Sequence, residues 1–316
     1  MIYMKKYLNI TVGITVKNTE KTIKECIDSV LKQNYPRNHF KIFIVDGGST
    51  DNSFKILKKY GRKIMLKRVI GNIATGHNYI IKHSNSDLIA FTDSDCVVDN
   101  NWLKELIKPF KGKNIGATGG LMKTPSDVNR LQKLIGWELE SRTQNFPEFL
   151  SRAPTANLCV RTKLAKEILF DESFTVAQET DFGFRFTQKY KMKYVPKAIV
   201  YHYHRATWRS YFKQQFRYGT MMPKLYLRHK NKAKGDQIST GNMVASVLYM
   251  YVLLLSLALM LDWRISLFFA TIVFSIYLTD IIKITKNLED NLYLFAIFFV
   301  RNLAWNIGIL FGLTKV

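Results

Sequence analysis

The first ninety residues alternate short apolar runs with a segment in which apolar residues recur every three or four positions. Residues 10–16 form a run rich in β-branched side chains, which predicts a strand. A helix is predicted to follow, because apolar side chains recur at helical spacing at Ile23, Cys26, Ile27, Val30 and Leu31. Further apolar runs predict strands at 42–45, 64–69 and 88–91. Strands that alternate with helices indicate a parallel sheet covered on both faces, so the expected fold class is α/β.

The last quarter of the chain contains three long apolar runs. Residues 242–261 carry no charge, 265–282 carry only Asp280, and 291–313 are interrupted by Arg301. Because about 20 apolar residues suffice to cross a bilayer, we expect about three transmembrane helices. Buried core helices are the alternative, chiefly for the third run, since a mid-span arginine is costly in lipid. An interfacial or re-entrant segment also fits the third run. Arg301 could pair with Asp280 or hold a lipid phosphate.

The charge balance indicates a polyanionic partner and an orientation in the membrane. The chain has 47 Lys+Arg against 24 Asp+Glu, a net charge of +23. Basic residues precede the first apolar run, and Lys283 and Lys286 lie between the second and the third. By the positive-inside rule, residues 1–240 and this second link face the cytoplasm. We expect no nucleic-acid partner, because the charge lies beside apolar runs and no nucleic-acid-binding motif is recognised.

The cysteines and the first residues agree with a cytoplasmic location. Cys26, Cys96 and Cys159 are scattered, forming neither a disulfide framework nor a zinc pattern, which fits a reducing cytosol. Residues 1–10 lack the long apolar core of a signal peptide. We therefore expect a multi-pass cell-membrane protein whose large N-terminal part is cytoplasmic.

Acidic residues stand where predicted strands end. Asp93 and Asp95 follow the run 88–91 in the sequence FTDSDC, and Asp46 follows the run 42–45. In parallel sheets, ligands bind beyond the carboxyl ends of the strands. A D-x-D pair suits Mg²⁺ or Mn²⁺, because carboxylate oxygens are ligands for these ions, which keep positions open for a diphosphate. A bare D-x-D is also common in solvated turns, so the wider sequence decides.

Several motifs together resemble the family 2 glycosyltransferases, and the resemblance covers most of residues 8–220. ITVKN is similar to the family's I-P-T-Y-N, SVLKQNYP to S-L-L-x-Q-x-Y-P, and VDGGSTDNS to V-D-D-G-S-T-D-x-S. LIAFTDSDC matches the strand that carries the metal-binding D-x-D. Thr15 replaces a proline, Gly47 replaces the second acid, and His77-Asn78 replaces Arg-Asn. The resemblance implies a GT-A nucleotide-diphospho-sugar transferase fold, with a Rossmann-like mixed sheet flanked by helices, plus C-terminal transmembrane helices.

The same resemblance implies roles for residues of the donor site. Asp46 would contact the base or ribose, Asp93 the ribose or metal, and Asp95 the metal and diphosphate. His202, at the end of a later predicted strand, would complete the Mg²⁺ or Mn²⁺ site, or else be a structural histidine. Further nucleotide-sugar-binding residues implied by position are Thr15, Asn18, Asn78 and Asn157.

The stretch AQETDFGFR resembles the family's G-E-D-x-D-L/F-x-x-R, whose central acid takes the acceptor proton in inverting members. Glu179 stands at that position and Asp181 is the reserve candidate. A carboxylate that reaches an acceptor hydroxyl acts as a general base. If the acceptor is a polyprenyl phosphate, the nucleophile is already ionised and Glu179 would orient or bind it. Acidic residues in the first turn of a helix are also favourable in themselves.

The stretch QQFRYG is similar to the Q-x-x-R-W of membrane-bound transferases and processive polysaccharide synthases. Its Gln214, Arg217 and Tyr218 would lie at the nucleotide sugar, with the arginine near the diphosphate and the aromatic ring on the acceptor sugar. The surrounding residues also predict an amphipathic interfacial helix, because aromatic side chains recur at helical spacing between basic ones.

The expected organisation is a cytoplasmic GT-A catalytic domain (1–206), an interfacial helix with a basic linker (207–240) and a membrane domain (241–316). The expected function is that of a metal-dependent, inverting, membrane-bound glycosyltransferase of polysaccharide or glycolipid biosynthesis. It would move a sugar from a nucleoside diphosphate sugar to a lipid-linked acceptor, namely polyprenyl or dolichyl phosphate or a lipid-linked saccharide. The alternatives are a processive polysaccharide synthase, for which the membrane domain is small, and a non-catalytic membrane scaffold subunit.

Overall fold

The computed structural model describes residues 7–112 and 114–314. The chain divides into two compact units, and each is described by itself. The first comprises Met1–Lys123 and Phe146–Tyr203, and the second comprises Thr124–Asn145 and His204–Val316. The division at residues 206 and 240 stays a prediction, and its outer ends, 1–6 and 315–316, lie outside the described residues.

The described part of the first unit is built on an eight-stranded mixed sheet. In chain order the strands are β1 (Ile10–Val16), β2 (Phe40–Asp46), β3 (Met65–Arg68), β4 (Leu88–Phe91), β5 (Cys96–Val98), β6 (Ile115–Lys123), β7 (Leu158–Arg161) and β8 (Lys191–His202). Their spatial order is β3-β2-β1-β4-β7-β6-β8-β5. The first four are parallel, as the alternating pattern predicted, whereas β7 is antiparallel to both of its neighbours, and so is β5 to β8.

Helices cover this sheet, as its long apolar strands require. They are α1 (Ile23–Leu31), α2 (Ser53–Lys58), α3 (Ile73–His83), α4 (Trp102–Ile107), α6 (Thr162–Ile168) and α7 (Gln178–Thr187). Every residue of β1 and β4 is buried, which explains why these strands are apolar throughout instead of alternating. Because β2, β1 and β4 are adjacent and parallel, their carboxyl ends form one edge, at which Asp46, Asn18 and Asp93 lie.

The second unit is helical over its described residues. Its main helices are α5 (Arg130–Thr143), α8 (Trp208–Arg228), α9 (Gly241–Ala258), α10 (Trp263–Ile281) and α11 (Leu288–Leu313). Side-chain caps begin several of them: Asn129 with Gln132 at α5, Thr207 with Ser210 at α8, and Asn287 at α11. Within the described ranges, α9, α10 and α11 are long and apolar enough to cross a membrane, by length and composition.

Helices α9 and α10 form an antiparallel hairpin. Asn242 Nδ2 donates to Asp280 Oδ1 at 3.0 Å near its open end, and the Ser256 and Ser266 hydroxyls lie 2.9 Å apart near its tip. The open end also carries a buried polar cluster, because Asn302 Nδ2 of α11 donates to the Ser246 and Tyr277 hydroxyls.

The structure corrects the pairing expected for Arg301. Its Nη1 donates to Glu138 Oε1 of α5 at 2.8 Å. Asp280 instead accepts a hydrogen bond from Asn242 Nδ2 and forms an ion pair with Lys283 at 3.5 Å. The expected Arg301–Asp280 pair is therefore wrong. The physical reason is that Asp280 lies at the end of α10, whereas Arg301 lies in the middle of α11, against α5.

Candidate active site

Asp95 and His202 meet at the carboxyl edge of the sheet. The turn after β4 is closed by Cys96 N, which donates to Asp93 O at 3.1 Å, and Tyr203 N donates to Asp95 O at 2.9 Å. Antiparallel pairing of β5 with β8 sets Cys96 opposite His202. As a result, His202 Nε2 lies 3.5 Å from Asp95 Oδ1, with both side chains half-buried. The structure thus brings together two of the three residues predicted to bind metal.

Asp93, the third, lies in a strongly acidic setting. Thr155 Oγ1 donates to its Oδ1 at 3.2 Å. Burial raises the pKa of the Asp93 carboxyl well above its usual range, and the charges of Asp95 and Glu179 raise it further, against the opposing effect of His202. Without a cation the Asp93 carboxyl therefore resists ionisation, and a bound cation would favour its charged form.

The available ligand atoms fit a hard or borderline divalent cation. One ligand atom each of Asp95, Cys96 and His202 lie within 4.8 Å of one another. Burial and the charges of Asp95 and Asp93 hold the pKa of the Cys96 thiol well above its usual value, and sulfur is a soft ligand that Mg²⁺ and Mn²⁺ do not prefer. The carboxylate and imidazole donors that remain suit Mn²⁺ and, less fully, Mg²⁺, which prefers oxygen ligands.

The two acidic residues in the first turn of α7 have different surroundings. Asp181 is buried and accepts from Arg185 Nε at 2.8 Å, while Arg185 also donates to Leu169 O at 2.8 Å. Glu179 is half-buried and close enough to Asp93 to affect the pKa of that carboxyl. Burial raises the pKa of Glu179 itself, although the Arg152 charge opposes the shift.

Asp46 and Asn18 organise the loop that follows β2. Asp46 is fully buried, accepts from Gly48 N and Ser49 N, each at 3.2 Å, and pairs with Arg68 Nε at 3.2 Å. Asn18 has a left-handed backbone (φ 56°), and its Oδ1 accepts from Thr50 N at 2.8 Å. The loop is therefore held rigidly at the edge that carries Asp93.

Three other predicted donor-site residues are buried. Thr15 Oγ1 lies 3.5 Å from His77 Nε2. Asn78 exchanges hydrogen bonds with the Phe170 backbone at 2.8 and 2.9 Å. Asn157 accepts from Trp102 Nε1 at 2.8 Å and donates to the carbonyls of Leu121 and Ala198 at 2.9 Å. These bonds support the fold, and a direct contact of the three residues with nucleotide sugar stays a prediction.

Gln214, Arg217 and Tyr218 belong to the second unit. They lie on α8, which runs without interruption for 21 residues and contains Pro223. Arg217 is exposed, and Gln214 and Tyr218 are half-buried. Their contacts with diphosphate and acceptor stay predictions.

The sequence analysis did not identify two residues near the acidic cluster. Thr155 supports Asp93, and Arg152, which is buried, lies near Glu179 and donates to Thr180 Oγ1 at 3.1 Å. Thr155 lies two residues before Asn157, which is the residue of this stretch for which the sequence predicted a role. No spacing rule connects it to Asp93, which lies 62 positions earlier.

Comparison with known proteins identifies the family of the chain. Residues 11–169 match the profile of glycosyl transferase family 2. A relative from Methanococcus voltae, dolichyl N-acetyl-alpha-D-glucosaminyl phosphate 3-beta-D-2,3-diacetamido-2,3-dideoxy-beta-D-glucuronosyltransferase, is 26% identical over 232 residues, covering 66% of this chain and 71% of the relative. Glycosyltransferase AglE of Haloferax volcanii is 26% identical over 116 residues, covering 35% of this chain and 38% of AglE.

Solved structures share the fold at low sequence identity. Mannosyltransferase PcManGT from Pyrobaculum calidifontis, in complex with GDP-Man and Mn²⁺, has a TM-score of 0.62 and 12% identity over 98% of this chain and 88% of that one. S. aureus TarS 1-349 in complex with UDP has a TM-score of 0.51 and 16% identity over 98% and 92%. The predicted GT-A fold is confirmed.

Proposed function

The chain belongs to glycosyltransferase family 2, and from that membership we propose that it is a membrane-bound, metal-dependent, inverting glycosyltransferase. Its donor is a nucleoside diphosphate sugar and its acceptor is lipid-linked. The observation that carries the proposal is the meeting of Asp95 with His202, beside Asp93 and within electrostatic range of Glu179. A turn that merely faced solvent would have no reason to gather three half-buried acidic side chains and a histidine.

Asp93, Asp95 and His202 would hold Mn²⁺ or Mg²⁺. When bound, such an ion supplies positive charge that offsets the charge developing on the departing nucleoside diphosphate. The residues fit this role because burial and like charge disfavour ionisation of Asp93 in the absence of a cation.

Glu179 receives the acceptor proton when the acceptor is a hydroxyl. The acceptor oxygen forms a bond to the anomeric carbon while the bond from that carbon to the diphosphate oxygen breaks. Attack from the face opposite the leaving group inverts the configuration, and the proton passes to the Glu179 carboxylate. With a phosphate acceptor there is no proton to remove, and Glu179 orients the acceptor instead.

The rest of the donor site follows from the edge of the sheet. The loop that Asp46 and Asn18 hold in place would support the nucleoside. By the family resemblance alone, Gln214 and Arg217 would bind the diphosphate. Tyr218 offers an aromatic surface to the acceptor sugar. These assignments rest on the family resemblance and on the placement of Asp46 beside Asp93 at one edge.

A lipid-linked acceptor is supported by three observations. The chain contains apolar helices long enough to enter a membrane, it carries a net charge of +23, and a relative is named as acting on a dolichyl-phosphate-linked sugar. By the positive-inside rule, the basic segment before α9 supports a cytoplasmic location for residues 1–240.

The test is release of nucleoside diphosphate by detergent-purified protein offered a panel of nucleotide sugars with Mn²⁺, Mg²⁺ or EDTA. We expect release with one donor, lost with EDTA and in Asp95→Ala, and unchanged in Asp127→Asn, which alters an exposed carboxylate. If the folded wild type released no nucleoside diphosphate from any donor, with polyprenyl phosphate and lipid-linked saccharide present, the proposal would be overturned. That result would favour a non-catalytic scaffold subunit. Products of many sugar units would instead indicate a processive synthase.

A further inference from the structure

We propose that α11, the third apolar helix, lies along the membrane surface instead of crossing the bilayer, so that only the α9–α10 hairpin enters the hydrocarbon core. The partner of its exposed face is the lipid surface. This inference concerns how the chain is held and does not depend on the reaction proposed above.

The first support is the way α11 crosses the hairpin. Phe295 packs on Phe274 and Tyr277 with ring centroids 5.6 and 5.3 Å apart. Farther along α11, Asn306 Nδ2 donates to Val247 O at 3.1 Å. From Phe295 to Asn306 the helix advances about 16 Å.

Its partners, however, stay near the open end of the hairpin. Val247 lies about 9 Å from the start of α9, and Phe274 about 10 Å from the end of α10. Asn302, between the two contacts, reaches Ser246 and Tyr277 at the same level. A third spanning helix would contact its neighbours at increasing distances from the open end of the hairpin, as α9 contacts α10 from the open end to the tip. Because α11 does not, it runs steeply across the hairpin near its open end.

The second support is the charge carried by the helices beside α11. Helix α8 follows it: the Trp208 and Tyr293 rings lie 5.4 Å apart, and Trp305 Nε1 donates to Gln215 Oε1 at 2.9 Å. Along this stretch α8 exposes the basic side chains of Arg209, Lys213 and Arg217.

Helix α5 covers the middle of α11 with further charges. Glu138 binds Arg301, and Arg142 Nη2 binds Glu138 Oε2 at 2.7 Å. If α11 crossed the bilayer, these charged neighbours would lie at hydrocarbon depth, which is costly. If α11 lies flat, the same cations lie at headgroup level, where anionic lipids attract them.

The third support is the surface that α11 leaves exposed. Apolar side chains are exposed along its whole length, namely Leu288, Leu292, Phe299, Ile307, Leu310, Phe311 and Leu313. The polar residues Arg301, Asn302 and Asn306 are buried against the neighbouring helices α5 and α9 and the hairpin residue Tyr277. This apolar surface identifies lipid as the partner of the exposed face of α11, while the crossing of the hairpin and the charged neighbours set its orientation.

The experiment uses the full chain in lipid vesicles, with a nitroxide on one introduced cysteine at a time; the native cysteines are buried. Labels at Leu292, Phe299 and Leu310 report depth through their accessibility to oxygen and to a polar nickel reagent. Leu248 and Leu255 on α9, also exposed, are the matched controls. We expect similar depths for the three α11 sites, and a difference of about 10 Å between the α9 sites.

A Phe299 label deeper than both the Leu292 and Leu310 labels by about 10 Å would show a spanning helix and overturn the proposal. A second measurement is independent of label depth. Terminal tags exposed to protease on sealed vesicles should be cut on the same side of the membrane, because two spans return the chain to the side from which it came. Cutting on opposite sides would likewise overturn the proposal.

Discussion

Arg301 and Glu138, 163 positions apart in sequence, form a buried ion pair with Nη1 and Oε1 2.8 Å apart. The pair joins the middle of α11 to α5, and Arg142 occupies the second oxygen of Glu138 at 2.7 Å. Burial opposes ionisation of Glu138, but the two guanidinium groups hold the pKa of its carboxyl below the usual range. One carboxylate therefore balances two arginines in the second unit.

This arrangement predicts an asymmetric response to substitution. Glu138→Leu leaves Arg301 buried without its partner, and should lower the free energy of unfolding by about 3–5 kcal/mol. Arg301→Leu should cost less, because Glu138 keeps Arg142. Unfolding of the detergent-solubilised protein by heat or denaturant measures both. Equal losses for the two single variants, or a double variant whose loss equals their sum, would contradict this account.

The hydrogen bond from Thr155 to Asp93 predicts a role in positioning the metal-binding residues. Thr155→Val removes the hydroxyl at nearly constant shape and should weaken Mn²⁺ binding about 10–100-fold, as loss of outer-shell support typically does. Thr155→Ser restores the donor and should bind Mn²⁺ like the wild type. Electron paramagnetic resonance of free Mn²⁺ measures binding without turnover. Unchanged affinity in the valine variant would show that Asp93 does not need this support.

The raised pKa of Glu179 predicts how activity with a hydroxyl acceptor depends on pH. The base acts only when ionised, so kcat/KM should fall as the pH drops through a pKa that lies above the usual glutamate range. Glu179→Gln should remove this limb and slow the reaction by about 10²–10⁴-fold. With a phosphate acceptor, the same variant should retain most of its rate.

Asp181→Asn is the contrasting variant for that experiment. Asp181 is tied to Arg185, so its substitution should lower thermal stability while the pH limb remains. If the limb instead vanished in the folded asparagine variant and persisted in Glu179→Gln, Asp181 would be the base.

Features set by local pattern could be predicted from the sequence, whereas those set by distant pairing could not. The apolar runs at 42–45 and 88–91 are continuous because both faces of these strands are buried, so their ends, and with them Asp46 and Asp93, were correctly placed. Strand β5 was not predicted, since it has three residues and gains its partner only when β8 returns about a hundred residues later.

The same limit explains Arg301. The sequence showed a cation within an apolar run and a carboxylate, Asp280, in the neighbouring run. The true partner, Glu138, lies on a helix of largely polar composition that no apolar period revealed. The ion-pair partner of Arg301 depends on which helices pack together, and helix packing is a property of the folded unit.

Asn157 provides a test between structural support and donor contact. Asn157→Ala leaves Trp102 Nε1 and the carbonyls of Leu121 and Ala198 without their partner, at about 1–3 kcal/mol for each buried group left unpaired. We expect a large fall in melting temperature, with the KM for the nucleotide sugar little changed in the protein that remains folded. A KM that rises severalfold at unchanged stability would instead support the predicted sugar contact.

Close packing of α8 on α11 gives the last prediction. A Cβ on Gly308 would clash with the Phe216 carbonyl oxygen, and a Cβ on Gly219 would come within 2.6 Å of Trp305 O. Gly308→Ala should therefore force the helices apart and destabilise the protein by about 1–3 kcal/mol, the usual cost of overpacking. Gly241→Ala is the matched control in the same unit, because its Cβ would meet only Lys234 O at 3.9 Å. Thermal unfolding in detergent compares the melting temperatures of the two variants. If Gly308→Ala lowered the melting temperature no more than Gly241→Ala, the α8–α11 contact would be looser than described.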